Sequence, residues 1–186
     1  MIKPDGVQRA LVGECLRRFE RAGLKLVALK MVKTTKAFVE KHYPVDEKWL
    51  RALGDKTINF YKEQGLDISK DMGSTDNLEL GKTIKKWLCE FISSGPVVAM
   101  AWEGPHAIEQ ARKLCGNTLP VLAAPGTIRG DFSVDSSYQS NIGKRPIHNL
   151  IHASGNKEEA ENELALWFKK EEFFEYKRCD EKAMFG

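Results

Sequence analysis

The feature that most constrains this chain is a short apolar stretch that ends in a histidine and runs into a capped helix. The stretch is Asn149–Gly155 (NLIHASG), and the helix is predicted to begin after Asn156. Glu159 lies three residues beyond Asn156, which is the spacing of a capping box. From this start, the 3.6-residue period places Glu163 on the apolar face of the helix. The other residues of that face are Ala160, Leu164, Trp167 and Phe168.

A carboxylate on an apolar helix face needs a partner. Burying it without one costs roughly several kcal/mol, and His152 is the nearest candidate partner of Glu163. A histidine alone at a strand end is more often an ordinary core or surface residue. Paired with Glu163, it becomes an imidazole that a buried acid holds and orients, which is what a histidine nucleophile needs.

A second candidate segment is Pro125–Phe132 (PGTIRGDF), in which Arg129 lies between two glycines. Glycines let the backbone approach a ligand closely, and the guanidinium fork suits a phosphate. The alternative is an ordinary loop in which Arg129 pairs with Asp131. This segment alone is therefore weak evidence for a site.

Further motifs are spread along the chain in a fixed order. In addition to the two segments above, they are Ile2–Arg9 (IKPDGVQR), Leu11–Glu14 (LVGE), Arg18–Glu20 (RFE), Ser94–Met100 (SGPVVAM) and Leu166–Phe168 (LWF). Together these motifs resemble those of the nucleoside diphosphate kinases, in that family's order. The resemblance covers nearly the whole chain apart from two insertions.

The resemblance implies an α+β fold: a ferredoxin-like split βαβ unit with helices packed on one face of an antiparallel sheet, plus inserted segments. We expect a single domain over residues 1–186. The residue pattern predicts helices at Val12–Ala22, from Thr35 through Tyr43, around Ile84–Ile92 and at Pro105–Gly116. It predicts strands at Leu24–Lys33, Pro96–Trp102 and Pro146–Ile151.

Three segments depart from the family pattern. The first strand is reduced to Met1 and Ile2, so we expect the chain as given to begin late. The insertion at about 44–83 is expected to contain a docked helix around Trp49–Tyr61 and a more loop-like part at Gly65–Gly81. Both a modified lid over the nucleotide and a subunit contact remain open for this insertion. The insertion at about 135–145 is expected to be a loop.

Composition sets limits on the class of protein. The net charge is +3, and 42% of the residues are hydrophobic, which is enough for a core. No apolar run approaches the roughly 20 residues that span a bilayer, so we expect no membrane partner. The four scattered cysteines form no Cys-x-x-Cys pair, which favours free thiols and a cytoplasmic location.

The resemblance implies a nucleoside diphosphate kinase that works by a ping-pong mechanism. The γ-phosphate of a nucleoside triphosphate such as ATP would pass to His152 and then to a nucleoside diphosphate. Glu163 and Ser154 would orient or support this histidine. Mg²⁺ would bridge the nucleotide phosphates, with no dedicated protein ligand. The family assembles as hexamers or tetramers, so we expect a homo-oligomer.

Six residues are implied to bind the nucleotide. Arg129 and Thr118 match positions that hold the phosphates. Lys3 matches one that reaches the phosphate and the sugar hydroxyl, Asn149 one that contacts the sugar, and Tyr43 one near the catalytic histidine.

The sixth nucleotide-binding residue is Arg112. It lies one turn past Ile108, on the flank of an apolar helix face, so its side chain is expected to point toward the body of the protein. The alternative is that it only covers that face with its aliphatic stem.

Two positions in the site differ from the family. The family stacks the base on an aromatic residue at the position of Ile84, so no base-binding residue is assigned here. Ala153 and Gly155 stand where the family commonly has Gly and Asp. These two changes leave the charged groups that handle phosphate in place.

A second hypothesis is a non-catalytic ferredoxin-like module that binds nucleotide or single-stranded nucleic acid. Such a module needs exposed aromatic residues interleaved with Lys and Arg on its strands. The predicted strand Pro96–Trp102 has no basic residue, and Leu24–Lys33 has no aromatic one. The sequence therefore favours the enzyme, and no nucleic-acid partner is expected.

Overall fold

The structure is a computed structural model that describes residues 1–43 and 46–186. Its sheet consists of two antiparallel strands, β1 (Lys25–Lys33) and β2 (Pro96–Glu103). The register runs from Lys25 opposite Glu103 to Lys33 opposite Pro96, with one irregularity between Leu26 and Ala28. Two of the three predicted strands, Leu24–Lys33 and Pro96–Trp102, are therefore confirmed with small changes of bounds. Each is a run rich in branched and long apolar residues, which favour a strand.

The chain start lies between β2 and the segment that carries the histidine. Ile2 forms isolated bridges with Val98 on one side and Ile151 on the other. The Met1 ammonium donates to the carbonyl of His152 at 2.9 Å. Met1 and Ile2, to which the first strand is reduced, thus lie between β2 and the segment around Ile151.

Helices make up most of the remaining structure. Eleven α-helices are present in the described part of the chain: α1 Pro4–Gln8, α2 Val12–Arg21, α3 Lys36–His42, α4 Glu47–Glu63, α5 Ile68–Met72, α6 Asn77–Ser94, α7 Ala107–Cys115, α8 Ile128–Phe132, α9 Ser137–Ile142, α10 Lys157–Trp167 and α11 Glu181–Phe185. Short 3₁₀ turns lie at Pro120–Leu122 and Lys170–Glu172. Among the described residues, no helix combines the length and the apolar character that a membrane crossing requires.

Helices cover both faces of the sheet, and not one face as expected. Val97 and Ala99 of β2 belong to one core cluster and Val98 to another, because successive strand residues point to opposite faces. The cluster around Val98 takes its helical residues from α2, α7 and α8, namely Cys15, Phe19, Cys115 and Ile128. The cluster around Val97 takes them from α3, α6 and α10, namely Val39, Cys89, Ile92 and Trp167.

The predicted helices at Val12, Thr35, Ile84 and Pro105 are present, with changed bounds. The side chain of Thr35 accepts the Phe38 N–H at 3.2 Å, which fixes the start of α3. Helix α7 begins at Ala107 and not at Pro105. The reason is that His106 adopts φ +53°, a left-handed conformation that does not continue into a helix.

The predicted strand at Pro146–Ile151 is wrong. Only Ile151 forms a bridge there, with Ile2. Leu150 has φ +69°, and the Ile151 N–H donates back to the Asn149 carbonyl at 2.7 Å. This tight turn bends the backbone and prevents a regular ladder.

The insertion at about 44–83 is more helical than predicted, although Pro44 and Val45 lie outside the described residues. The docked helix is α4. The loop-like prediction for Gly65–Gly81 is wrong where α5 and the first residues of α6 occur. Asp67 and Asp76 cap these two helices by accepting the N–H groups of Ser69 and Glu79.

The insertion at about 135–145 is not a simple loop either. It contains helix α9, capped by Ser136, whose hydroxyl accepts the Gln139 N–H at 3.3 Å. Both Asp135 oxygens accept from the guanidinium of Arg145, at 2.6 and 3.0 Å. This partly buried ion pair links the two ends of the insertion, which the residue composition alone does not indicate.

Candidate active site

A strained turn centred on Leu150 positions His152. Leu150 is fully buried yet has a positive φ, which costs free energy for a residue with a side chain. Its N–H donates to a carboxylate oxygen of Asp5 at 3.0 Å, and its carbonyl accepts the Lys3 N–H at 2.8 Å. These contacts from the chain start hold the turn two residues before His152.

The predicted contact between His152 and Glu163 is present. Nε2 of His152 lies 2.8 and 2.9 Å from the two carboxylate oxygens of Glu163. The hydroxyl of Ser154 donates to one of these oxygens at 2.7 Å. All three side chains predicted as catalytic therefore meet in one hydrogen-bonded group.

The cap of α10 explains how Glu163 reaches this position. The side chain of Asn156 accepts the Glu159 N–H at 2.9 Å, as predicted. The Glu159 carboxylate accepts the N–H of Gly155 at 2.7 Å, one residue earlier than a standard capping box. The helix start is thus tied to the segment that follows the histidine.

Burial and charge set the protonation of the pair. Burial lowers the pKa of the His152 imidazole, and the hydrogen bond and charge of Glu163 oppose this effect. Burial alone would raise the pKa of Glu163, but the hydrogen bond and charge of His152 outweigh it and lower the value to about 2. At neutral pH we therefore take His152 as neutral and Glu163 as ionised, with the ring proton on Nε2.

The other ring nitrogen, Nδ1, is the one available for chemistry. No described residue forms a hydrogen bond with Nδ1. It is also not one of the fully buried polar atoms that lack a partner. The side chain of His152 is 23% exposed. With its proton on Nε2, the imidazole keeps a lone pair on Nδ1.

His42, a residue that the sequence analysis did not assign, completes this group. Its ring meets the ring of His152 edge-on, with centroids 4.8 Å apart. Its Nδ1 lies 3.9 Å from a Glu163 oxygen and accepts the indole N–H of Trp167 at 3.3 Å. The available signal was its place on α3, one turn after the partly buried Phe38 and the buried Val39.

A metal ion at this group would need donors of the right kind. Ligand atoms of His42, His152 and Glu163 lie within 4.8 Å of one another. Two of the three are imidazole nitrogens, whereas Mg²⁺ prefers oxygen. We therefore assign no magnesium to these residues.

Arg129 is buried beside the histidine segment. It donates to the carbonyls of Gly116 at 2.8 Å, Asn149 at 3.1 Å and Ile151 at 2.6 Å. The alternative pairing with Asp131 is absent, because Asp131 binds Arg18 at 2.6 Å. Arg129 is thus fixed to the backbone that leads into His152.

Lys3 and Asn149 form a buried pair next to Arg129. The Lys3 ammonium donates to the Asn149 side-chain oxygen at 2.6 Å, and the Asn149 amide donates to the Thr118 carbonyl at 2.8 Å. Burial, followed by the charge of Arg129, lowers the pKa of Lys3 to about 8, and Asp5 opposes this. Four predicted nucleotide-binding residues therefore lie in one network.

The remaining two predicted nucleotide-binding residues lie apart from this network. Arg112 is exposed, so the expectation that its side chain points toward the body of the protein is wrong. Its charge still acts on Arg129 and, together with burial, helps to lower the pKa of that side chain. Tyr43 packs against His42, with ring centroids 4.9 Å apart.

His152 also borders a cavity of about 120 Å³. Its lining is mostly apolar and includes Ser154, Glu163 and Trp167. Among the described residues, none of the predicted cations lines it. The cavity therefore borders α10, and Lys3, Arg112 and Arg129 lie outside its lining.

Comparison with known proteins places this geometry in a family. The sequence model of the family "Nucleoside diphosphate kinase" matches residues 1–66 and 78–173. A nucleoside diphosphate kinase of Pyrobaculum aerophilum is 47% identical over 175 residues, which are 94% of this chain and 96% of the relative. The crystal structure of an NDP kinase from that organism has a TM-score of 0.91, 46% identity and coverage of 94% and 96%.

Two further structures are similar along nearly their whole length. One is a Borrelia burgdorferi nucleoside-diphosphate kinase described as a transition state mimic with bound vanadate and ADP. It has a TM-score of 0.78, 41% identity and coverage of 98% of this chain and 92% of that one. The other is a halophilic nucleoside diphosphate kinase of Halobacterium salinarum in complex with CDP, with a TM-score of 0.67, 34% identity and coverage of 100% and 95%.

The family model covers the motif segments and leaves out residues 67–77 of the insertion, whereas the similar structures cover 94–100% of this chain. These similarities favour the enzyme over the non-catalytic binding module. The chain belongs to the nucleoside diphosphate kinase family.

Proposed function

We propose that this kinase transfers the γ-phosphate of a nucleoside triphosphate such as ATP to a nucleoside diphosphate through phosphorylated His152. The observation that carries the proposal is the orientation of the imidazole. Glu163 holds Nε2, and Nδ1 has no partner among the described residues. A neutral imidazole that is fixed at one nitrogen and open at the other is a ready nucleophile.

The transfer has two balanced half-reactions. In the first, the Nδ1 lone pair forms a bond to the γ-phosphorus as the bond to the β-phosphate oxygen breaks, and the nucleoside diphosphate leaves. The proton on Nε2 stays in place, so the phosphorylated ring carries positive charge that the Glu163 carboxylate offsets. In the second, a terminal oxygen of the acceptor diphosphate takes the phosphoryl group and Nδ1 regains its lone pair.

Arg129 is suited to hold a phosphate although it is already bound. A guanidinium has five N–H donors. Three hydrogen bonds reach backbone carbonyls, so two donors remain for phosphate oxygens. We assign the phosphates to Arg129, Arg112 and Thr118, and the sugar and neighbouring phosphate to Lys3 and Asn149.

Magnesium is treated as part of the substrate. Glu163 is engaged with His152 and Ser154, so its carboxylate is not offered to a cation. Mg²⁺ would arrive bound to the nucleotide phosphates and keep water ligands. The vanadate and ADP of the Borrelia burgdorferi structure, and the CDP of the Halobacterium salinarum structure, support nucleotides as the substrates.

The remaining proposals concern organisation. We propose a ferredoxin-like split βαβ topology in one domain over residues 1–186, with insertions at about 44–83 and 135–145. The protein acts as a homo-oligomer, a hexamer or tetramer, in the cytoplasm, without a membrane or nucleic-acid partner. The free state of all four cysteines supports the cytoplasmic location.

The test is phosphate exchange between ATP and a second diphosphate such as GDP. The wild-type chain is expected to produce GTP and ADP, and the His152→Ala variant is expected to produce neither. A variant that still exchanges phosphate would exclude His152 as the carrier.

A further inference from the structure

His42 forms the inner wall of the nucleophile's pocket. It is the last residue of α3, and its side chain is only 1% exposed. Its ring lies edge-on to that of His152. The His152 ring therefore has two neighbours: Glu163 at Nε2, and the imidazole of His42 packed edge-on against it.

The contact with Trp167 fixes the protonation of His42. An indole N–H can only donate, so Nδ1 of His42 must carry a free lone pair. The proton therefore lies on Nε2, which is buried and without a partner among the described residues. Burial, followed by the charge of His152, lowers the pKa of His42 to about 3 and keeps this ring neutral.

The same contact ties His42 to the carboxylate. Trp167 and Glu163 both lie on α10, four residues apart, and thus on one face of that helix. The Trp167 ring also meets Phe38 of α3, with centroids 4.9 Å apart. The bond from Trp167 to His42 therefore sets the position of α10 against α3, and with it the position of Glu163.

We propose that His42 is a positioning residue for phosphoryl transfer: locked by Trp167, it supports the His152 ring and holds Glu163 in reach of Nε2. The inference rests on the proposed phosphorylation of His152. His42 does not touch the nucleotide in this account. It acts through His152 and Glu163.

Other charged groups face the same pair of rings. The Met1 ammonium and Lys3 lie on the side of the chain start and disfavour a positive charge on either imidazole. Glu163 favours such a charge from α10. Replacing His42 removes none of these three groups, so a change in the pH profile of a His42 variant reports on the local environment of His152, including its distance from Glu163.

Two variants remove the Trp167–His42 hydrogen bond, one at the acceptor and one at the donor. His42→Phe keeps a ring but has no acceptor, and Trp167→Phe keeps a ring but has no donor. Each is expected to slow phosphorylation of the protein by saturating ATP about 10- to 100-fold, with little change in KM. The double variant is expected to be no slower than either single variant, because both remove the same bond.

Two controls separate positioning from folding. His42→Asn keeps an acceptor near the place of Nδ1 and is expected to recover most of the rate. Thermal unfolding shows how much of each variant is folded. His42→Ala admits water beside His152 and His42→Phe does not, so the acid limb of the rate profile is expected to lie at higher pH in His42→Ala than in His42→Phe.

The outcomes are distinct. Wild-type rates in both folded Phe variants, or additive effects in the double variant, would overturn the role of His42 and leave the proposed function intact. Wild-type protein that ATP does not label at His152 would remove both proposals.

Discussion

Both carboxylate oxygens of Glu163 lie within 3 Å of one nitrogen of His152, at 2.8 and 2.9 Å from Nε2. The pairing uses the nitrogen that faces α10 and leaves Nδ1 without a partner among the described residues, and Nδ1 is the atom that we propose carries the phosphoryl group. In the proposed mechanism, the charge of Glu163 stabilises the ring at the step in which it becomes positive.

The first prediction concerns this charge. Glu163→Gln keeps the shape of the side chain but removes the negative charge, so phosphorylation by ATP is expected to slow by about 100-fold. The pKa of His152 is expected to fall further, because the group that favours the protonated ring is gone. Rapid-quench labelling measures the rate, and NMR titration measures the pKa. Glu158→Gln, on an exposed position of the same helix, should match the wild type in both, and equal rates in the two variants would contradict the assignment.

The second prediction concerns pH and Lys3. Its pKa is lowered to about 8, so the ammonium loses its charge as the pH rises through about 8. If this charge binds the nucleotide, kcat/KM for ATP should decline above that pH. Lys3→Gln should lower kcat/KM about 10-fold or more at neutral pH and show no alkaline decline from this group. The exposed Lys41→Gln serves as the control, and an unchanged profile in Lys3→Gln would exclude the role.

The third prediction concerns the base. Ile84 lies half-buried on α6, where the family pattern has an aromatic residue. An aliphatic side chain favours neither purine nor pyrimidine bases. The turnover rate is therefore expected to differ little between purine and pyrimidine nucleoside diphosphates. Ile84→Phe should tighten binding of all bases through stacking, worth about 1–3 kcal/mol per base. A strong preference for one base in the wild type would show that other residues select it.

The fourth prediction concerns the packing of the insertion. A methyl group on Gly54 of α4 would overlap the backbone carbonyl of Asn77 at the start of α6. Gly54→Ala is therefore expected to destabilise the protein by about 1–3 kcal/mol, because the two helices must move apart. Gly13→Ala, in α2 with open space around it, should be neutral or stabilising. Urea unfolding of both variants measures the difference, and equal stabilities would refute the close packing.

Whether a site residue could be predicted from the sequence depended on the kind of contact that it makes. Glu163 could be placed because helical periodicity put a carboxylate on an apolar face near His152. The partners of Arg129 could not be predicted, since they are backbone carbonyls that every residue carries. His42 was not assigned because the role proposed for it depends on a contact with α10, more than a hundred residues later in the chain.

The same difference explains the errors in the fold. The segment before His152 is apolar enough for a strand, but the positive φ of Leu150 is imposed by contacts with Lys3 and Asp5 at the far end of the chain. The second insertion has the composition of a loop, yet the Asp135–Arg145 ion pair closes it around a helix. Local composition does not contain these long-range contacts.

The most direct test of the central claim is labelling with ATP that carries ³²P at the γ-position. The account predicts label on the protein that acid removes and alkali does not, as for a phosphohistidine, and its disappearance when a diphosphate is added. His152→Ala is predicted to take up no label. Label that persists in that variant, or that resists acid, would contradict phosphoryl transfer through this imidazole.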